Sequence, residues 1–215
     1  MTAVKVCGLA TADAVGAAVD GGAAHLGFVF FPKSPRHVDA VTARTLAAPA
    51  RGRAMIVAVT VDADDALLTE IGLILKPDLI QLHGSETPAR AARVRALTGA
   101  GIIKALPVST LADLEAAEHW AEAADHLMFD ARPPTGSTLP GGVGASFDWT
   151  MLAGRRFARP WFLAGGLTPE NVGEAIRLTG APAVDVSSGV ETAPGAKDPG
   201  LIAAFLAAAH AAAAA

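Results

Sequence analysis

Two side chains that can exchange protons each end a short apolar run. Cys7, the sole cysteine of the 215 residues, ends VKVC, and Asp130 ends HLMFD. A thiol close to an ammonium such as Lys5 and to a helix start has a lowered pKa, which favours the nucleophilic or basic thiolate. A carboxyl group held against apolar walls keeps its proton at neutral pH and can donate it. The pair could supply a base and an acid, but a buried cysteine and a capping or loop aspartate are equally open interpretations.

Three segments rich in glycine or serine come late in the chain, and each precedes a predicted helix or turn. They are PGGVGASFDW at 140–149, LAGGLTPENV at 163–172 and DVSSGVE at 185–191. Glycine lets backbone N–H groups close around an anion at the positive end of a helix. One such segment is ordinarily a turn. Three at consecutive strand ends predict a phosphate site.

Three further polar residues are candidates for binding. Arg36, in FPKSPRHV, could grip a carboxylate with two hydrogen bonds, because guanidinium and carboxylate geometries match. An arginine after a proline is also a common solvated loop residue. His83 and Asp185 could contact a ligand or could be internally satisfied groups that orient their neighbours.

The elements that must position these residues are eight short β-rich runs, which start about 21 to 35 residues apart. The runs are 4–9, 25–30, 54–61, 79–84, 102–108, 126–131, 161–166 and 183–189. Helical patterns separate them, and several begin at Thr or Asp and end at Gly. They include 11–22, 64–76, 87–99, 110–123 and 168–180. The pattern predicts β-α repeated eight times in an α/β protein.

Alternation within the runs favours a closed (β/α)8 barrel over an open, doubly wound sheet. Successive strand residues face opposite sides, and polar groups recur on one side only, as in Lys5 and Cys7 or Gln81 and His83. Strands covered by helices on both faces would read as continuous apolar runs. The inner face of a barrel can become polar at its C-terminal mouth, where active sites form.

Composition narrows the function classes. The chain is 52% hydrophobic with a net charge of −4, so we expect one soluble, cytoplasmic domain over 1–215. Its scattered basic residues disfavour nucleic-acid binding. Its single cysteine fits a reducing compartment, and no Cys/His set has zinc spacing. Its first twenty residues lack an uninterrupted apolar core of a signal peptide, and we expect no membrane association.

Six of these segments resemble, in order, the motifs of the phosphoribosylanthranilate isomerase family of tryptophan biosynthesis. They are KVCGL, GFVFFPKSPRHV, LIQLHG, GGVGASFDW, LAGGLTPENV and DVSSGVETAPGAKD, and they run from residue 5 to residue 198. The resemblance implies a single TIM barrel and an Amadori rearrangement without metal or coenzyme. The substrate would be the small molecule N-(5-phosphoribosyl)anthranilate, the product 1-(2-carboxyphenylamino)-1-deoxyribulose 5-phosphate, and the enzyme a monomer or a homodimer.

The resemblance also implies roles for individual residues. Cys7 becomes the general base, Asp130 the general acid and Arg36 the partner of the anthranilate carboxylate. His83 and Asp185 belong to the substrate site. The residues expected to hold the phosphate are Gly142, Gly144, Gly166, Ser187, Ser188 and Gly189.

The sequence departs from the family pattern in one loop. Val143 stands where Thr or Ser is usual, and Ala145 where Lys is frequent, so side-chain help with phosphate is lost while backbone N–H groups remain. Two alternatives stay open. A dual-substrate isomerase that also serves histidine biosynthesis would typically carry an aspartate where Cys7 stands. A barrel that binds a phosphosugar without turning it over would not need both Cys7 and Asp130.

Overall fold

A computed structural model describes residues 2–134, 136, 137, 139, 141, 142 and 144–214. Eight parallel strands close into one barrel in chain order, with β1 pairing to both β2 and β8. The strands are β1 Ala3–Cys7, β2 His25–Phe30, β3 Met55–Thr60, β4 Leu79–Leu82, β5 Gly101–Val108, β6 His126–Ala131, β7 Trp161–Leu163 and β8 Ala183–Val186. Every predicted run therefore contains a strand, and the barrel prediction is confirmed.

The α-helices of the described chain are α1 Ala12–Asp20, α2 Ala40–Ala47, α3 Asp65–Ile74, α4 Pro88–Thr98, α5 Val172–Thr179 and α6 Pro199–Ala214. Side-chain caps start five of them, α1 to α4 and α6: for example, Thr11 accepts a hydrogen bond from the N–H of Ala14 and Asp198 from that of Leu201. Gly99 and Gly180 end α4 and α5 in left-handed conformations. None of the helices described is long and apolar enough to cross a membrane.

Three helical predictions differ from the structure. The units after β5 and β6 carry 3-10 helices, Leu111–Trp120 and Trp149–Leu152, where α-helices were predicted. Nothing in the contacts of the first explains its tighter winding. Helix α5 begins at Val172 instead of Thr168, because the Asn171 side chain accepts from the Thr168 N–H at 2.8 Å and donates to the Gly166 carbonyl at 2.9 Å. These bonds commit the preceding residues to a turn.

The alternation along the strands separates two apolar layers. Side chains such as Val4, Val6 and Phe28 pack outward under the helices. Inside the barrel lie Val57, Ile103 and other residues of the opposite face, in a cluster that includes Cys7. Polar residues that were predicted to share one face point inward: Lys5 and Asp185, for example, form an ion pair inside the barrel. The predicted alternation of inward-facing and outward-facing residues along the strands is confirmed.

A short antiparallel hairpin follows β8 and lies outside the barrel sheet. It consists of β9 Glu191–Ala193 and β10 Ala196–Lys197. A 3-10 turn, Ser188–Val190, connects it to β8. Behind the hairpin, α6 packs against α1 and α5 and closes the ring of helices.

Candidate active site

One cavity opens at the C-terminal ends of the strands and encloses about 800 Å³, including the part open to solvent. All eleven residues singled out from the sequence line it: Cys7, Arg36, His83, Asp130, Gly142, Gly144, Gly166, Asp185, Ser187, Ser188 and Gly189. They come from the C-terminal ends of six strands, β1, β2, β4, β6, β7 and β8, and from the loops that follow. Barrel enzymes form their active sites at this face.

Cys7 is the last residue of β1, and its side chain is buried at one edge of the cavity. Its position depends on Gly27 of β2, which pairs with it in the barrel. A Cβ atom at Gly27 would lie 3.1 Å from both Cys7 Sγ and Lys5 Nζ. Because Gly27 has no side chain, there is room for the Cys7 thiol and the Lys5 ammonium to lie near one another.

The Lys5 ammonium is fully buried and lies 2.8 Å from Asp185 Oδ1. Burial alone would lower the pKa of Lys5, but the Asp185 carboxylate and the nearby Cys7 outweigh it, so the pKa of Lys5 is raised and the side chain stays charged. Asp185 thus has an internal partner in addition to its place on the cavity wall.

The pKa of Cys7 corrects one expectation. Lys5 favours the thiolate, as predicted, yet burial disfavours it more strongly, and the negative charge of Asp185 acts in the same direction as burial. The pKa of the thiol is therefore raised above its ordinary value. The free protein holds Cys7 mainly as a thiol at neutral pH.

The carboxyl group of Asp130 lies close to the imidazole of His83, in polar rather than apolar surroundings. Its Oδ1 accepts a hydrogen bond from the Ala131 N–H at 2.8 Å, and its Oδ2 lies 3.3 Å from His83 Nε2. The other ring nitrogen of His83 lies 2.9 Å from Gln81 Nε2. The apolar walls expected around Asp130 are thus replaced on the cavity side by an imidazole, and Gln81 orients that imidazole.

Arg36 is buried and lines the cavity, as its candidate role requires, but its guanidinium group already has a carboxylate partner. Nε donates to Glu191 Oε1 at 2.7 Å and Nη2 to Glu191 Oε2 at 2.8 Å. Nη2 also donates to the Gly142 carbonyl at 3.0 Å. The two-bond grip predicted for a ligand carboxylate is made instead by Glu191. Nη1 is the nitrogen left to meet a ligand, since no described residue accepts from it.

Glu191 and Lys197, at the two ends of the β9 and β10 hairpin, were missed by the sequence reasoning. Lys197 donates to Glu191 Oε1, to the Ser187 carbonyl at 2.9 Å and to Ser187 Oγ at 3.3 Å. Both side chains are buried. The signal available was two opposite charges that flank the turn residues Pro194 and Gly195, a pattern typical of a tight hairpin with paired ends.

The glycine and serine loops come together at one side of the cavity. Gly189 approaches the loop after β7 so closely that a Cβ on it would lie 1.9 Å from the Leu167 carbonyl oxygen. The backbone N–H groups of Gly166, Ser188 and Gly189 donate to no acceptor in the described part of the chain. Ala145 lines the cavity with them, whereas Val143 lies outside the described residues. These amides are available to an anion.

A buried thiol, a carboxyl group and unpaired amides in the mouth of a closed (β/α)8 barrel define a class: a barrel enzyme equipped for acid-base chemistry on a small anionic molecule. Comparisons with known proteins give the family. Residues 4–208 match the family model of N-(5'-phosphoribosyl)anthranilate (PRA) isomerase.

Similar proteins carry the same description. An N-(5'-phosphoribosyl)anthranilate isomerase of Caulobacter vibrioides is 60% identical over 203 residues, which cover 94% of this chain and 93% of that one. The isomerase of Paracoccus denitrificans is 55% identical over 204 residues and 95% of each chain. The crystal structure of phosphoribosyl anthranilate isomerase from Thermotoga maritima superposes with a TM-score of 0.87 at 32% identity, over 98% of this chain and 100% of that one.

A second solved structure contains a ligand. It is a phosphoribosyl anthranilate isomerase in complex with reduced 1-(o-carboxyphenylamino)-1-deoxyribulose 5-phosphate, with a TM-score of 0.85 and 32% identity over 98% of this chain and 100% of that one. The chain belongs to the N-(5'-phosphoribosyl)anthranilate isomerase family and is an isomerase.

Proposed function

We propose that the protein converts N-(5-phosphoribosyl)anthranilate into 1-(2-carboxyphenylamino)-1-deoxyribulose 5-phosphate, the Amadori step of tryptophan biosynthesis. One observation carries this proposal: Cys7 and Asp130 line the same cavity as the loops with unpaired amides. A sugar phosphate held by those amides would lie between a base and an acid. Similar proteins are named for this substrate, and one is complexed with a reduced form of this product.

The reaction needs one proton delivered and one removed. Asp130 would protonate the ring oxygen of the ribose as its bond to C1 breaks, which leaves an iminium ion between C1 and the anilino nitrogen. Cys7, as thiolate, would then remove the proton from C2 to give the enolamine. As the enolamine becomes the ketone, its O–H proton would pass to the Asp130 carboxylate and the Cys7 thiol would return a proton to C1, so both side chains regain their starting protonation states. The route uses proton transfer alone and assigns no step to a metal or coenzyme.

The raised pKa of Cys7 has a consequence for this route. The thiol must lose its proton before it can act, and the buried ammonium of Lys5 is the charge that favours the thiolate. A base with a raised pKa is less populated at neutral pH but stronger once formed, which suits removal of a weakly acidic C–H proton. Lys5 therefore supports the base while Asp185 moderates its effect.

Substrate binding divides between two ends of the cavity wall. The phosphate would accept hydrogen bonds from the N–H groups of Gly166, Ser188 and Gly189, with Gly142, Gly144 and Ser187 completing the loops around it. The anthranilate carboxylate would meet Arg36 through Nη1, because Glu191 holds the other edge of the guanidinium. His83 would contact the substrate near Asp130. The protein would work as a single domain in the cytoplasm.

A fluorescence assay tests this function directly. Phosphoribosylanthranilate is expected to lose its fluorescence on addition of the purified protein. The aminoaldose of histidine biosynthesis, assayed in parallel, is expected to stay unchanged, because Cys7 stands where dual-substrate enzymes typically carry aspartate. Turnover of both compounds would instead indicate a dual-substrate isomerase. Binding of phosphoribosylanthranilate without turnover would indicate a phosphosugar-binding barrel and contradict the proposal.

A further inference from the structure

The hairpin after β8 carries a buried cluster of three charges against the cavity wall. Arg36, Glu191 and Lys197 have side chains that are 6%, 4% and 1% exposed. Glu191 accepts from both cations, and Gly195 in the hairpin turn donates its N–H to Glu191 Oε2 at 3.3 Å. The carboxylate is the shared member of all these contacts.

The charge and the position of this cluster connect it to ligand binding. Two cations and one anion leave a net positive charge of one beside a cavity that we assign to a substrate with two anionic ends. Burial would raise the pKa of Glu191, but Arg36 and Lys197 hold it below its ordinary value, so the carboxylate stays ionised. Burial lowers the pKa of Lys197 despite the contact with Glu191.

The two cations bind different loops of the site. Arg36 lines the cavity and donates to the carbonyl of Gly142 in the loop after β6, and its Nη1 has no acceptor among the described residues. Lys197 donates to the carbonyl and the hydroxyl of Ser187 in the loop after β8. Through Glu191, one hairpin is thus tied both to the residue assigned to the carboxylate and to a loop assigned to the phosphate.

We infer that Glu191 and Lys197 are positioning residues that set the spacing between the carboxylate-binding and phosphate-binding ends of the substrate site. Glu191 fixes the rotation of the Arg36 guanidinium so that a single nitrogen faces the ligand. Lys197 fixes the loop that carries Ser187 and Ser188. The inference rests on the proposed function for the identity of the two anionic groups.

Two fragments of the substrate test the inference separately. Anthranilate reports on the Arg36 end and inorganic phosphate on the loop end, and the affinity of each is measured by NMR titration of the labelled protein without any turnover. In Glu191→Gln we expect the Kd of both fragments to rise about tenfold, because Arg36 and Lys197 lose the charge that orders them. In Lys197→Met we expect a comparable rise for phosphate, with the Kd of anthranilate within about twofold of wild type.

A role through net charge alone would give opposite results. Glu191→Gln raises the charge of the cluster from +1 to +2, so tighter binding of both anions would overturn the inference. Equal weakening of both fragments in Lys197→Met would also overturn it. Glu86→Gln is the matched control, because Glu86 forms a comparably buried ion pair with Lys104 at 2.9 Å outside this cluster. It is expected to lower stability and to leave both Kd values unchanged.

Fragment binding also separates this inference from the proposed function. A wild-type protein that binds both fragments but does not turn over phosphoribosylanthranilate would contradict the function and leave the positioning role intact. A wild-type protein that isomerises the substrate, with variants whose fragment affinities match wild type, would contradict the positioning role alone.

Discussion

Lys5 Nζ and Asp185 Oδ1 lie 2.8 Å apart inside the barrel, one inward-facing position below the Cys7 thiol. The two residues pair directly across β1 and β8, and both are buried. The Cys7 thiol is therefore close to a cation and an anion at the same time. Their opposing effects, added to burial, set how readily Cys7 loses its proton.

Removing either partner is expected to shift the pKa of Cys7 in opposite directions. Asp185→Asn takes away a charge that disfavours the thiolate, so the pKa of Cys7 should fall. Lys5→Met takes away the charge that favours it, so the pKa should rise further. Because Cys7 is the sole cysteine, the rate of iodoacetamide modification against pH reports on this thiol alone. Shifts in the same direction for both variants would contradict this account.

The same substitutions carry a cost in folding free energy. Each leaves a buried charge without its partner, which typically destabilises a protein by about 3 kcal/mol or more. Urea unfolding at pH 7 measures this loss. Asp20→Asn is the control, because Asp20 pairs with Arg53 at 3.2 Å on the exposed surface, where an ion pair contributes about 1 kcal/mol or less.

Cys7→Ser is expected to reduce kcat by about 10²-fold or more while the fold is kept, because a hydroxyl is a far weaker acid than a thiol and cannot act as the base. The measurement is steady-state turnover of phosphoribosylanthranilate, with circular dichroism to confirm folding. In wild type, kcat/KM should still rise with pH above neutrality, because burial raises the pKa of the thiol. Near-normal turnover by the serine variant would remove Cys7 from the mechanism.

Asp130→Asn is expected to be comparably inactive. The amide keeps the shape of the carboxyl group and can still lie against His83, but it cannot deliver a proton to the ring oxygen. We expect kcat to fall with little change in the affinity for the product, measured by equilibrium titration. A fully active Asp130→Asn protein would show that the acid is another residue.

Gly27→Ala tests whether the space between Lys5 and Cys7 is needed. The added Cβ would lie 3.1 Å from both Cys7 Sγ and Lys5 Nζ, so at least one of them must move. We expect a fall in kcat of about tenfold and an altered rate of Cys7 modification. Gly16→Ala in α1 is the matched control, because no atom lies within 4 Å of its added Cβ. Equal activity of the two variants would contradict the prediction.

Local periodicity explains why so much of the barrel could be predicted. Which face a strand residue occupies is decided by its immediate neighbours, so the inward orientation of Lys5, Cys7 and Gln81 follows from alternation alone. The C-terminal mouth then follows from the parallel order of the strands. All eleven candidate residues line one cavity for that reason.

Contacts between distant segments could not be predicted in the same way. Arg36 and Glu191 are 155 positions apart, and no local pattern indicates that one occupies the fork of the other. The pKa of Cys7 likewise depends on Asp185, which reaches it through closure of the barrel between β1 and β8. The local sequence also does not distinguish an α-helix from a 3-10 helix. The segment at 111–120 has the composition of an α-helix yet forms a 3-10 helix.

At the opposite, N-terminal end of the barrel, His25 is buried with its Nδ1 unpaired among the described residues. Its ring packs edge-on against Phe162 at 5.1 Å between centroids. Burial, then the charge of Lys5 and the proximity of His126, lower the pKa of His25 to about 4. The folded protein therefore needs the neutral imidazole, while the unfolded chain takes up a proton below a pKa of about 6.5.

The sign of the pH dependence follows from this difference. The stabilising contribution of neutral His25 is complete above about pH 6.5 and is lost as the pH falls toward 4, because the unfolded state then binds the extra proton. Between pH 7 and 4.5 the loss is about 2 to 3 kcal/mol. His25→Leu removes this titration, so its unfolding free energy should fall less than that of wild type over the same range, as measured by urea unfolding at both pH values. Equal losses in the two proteins would show that His25 does not titrate on unfolding.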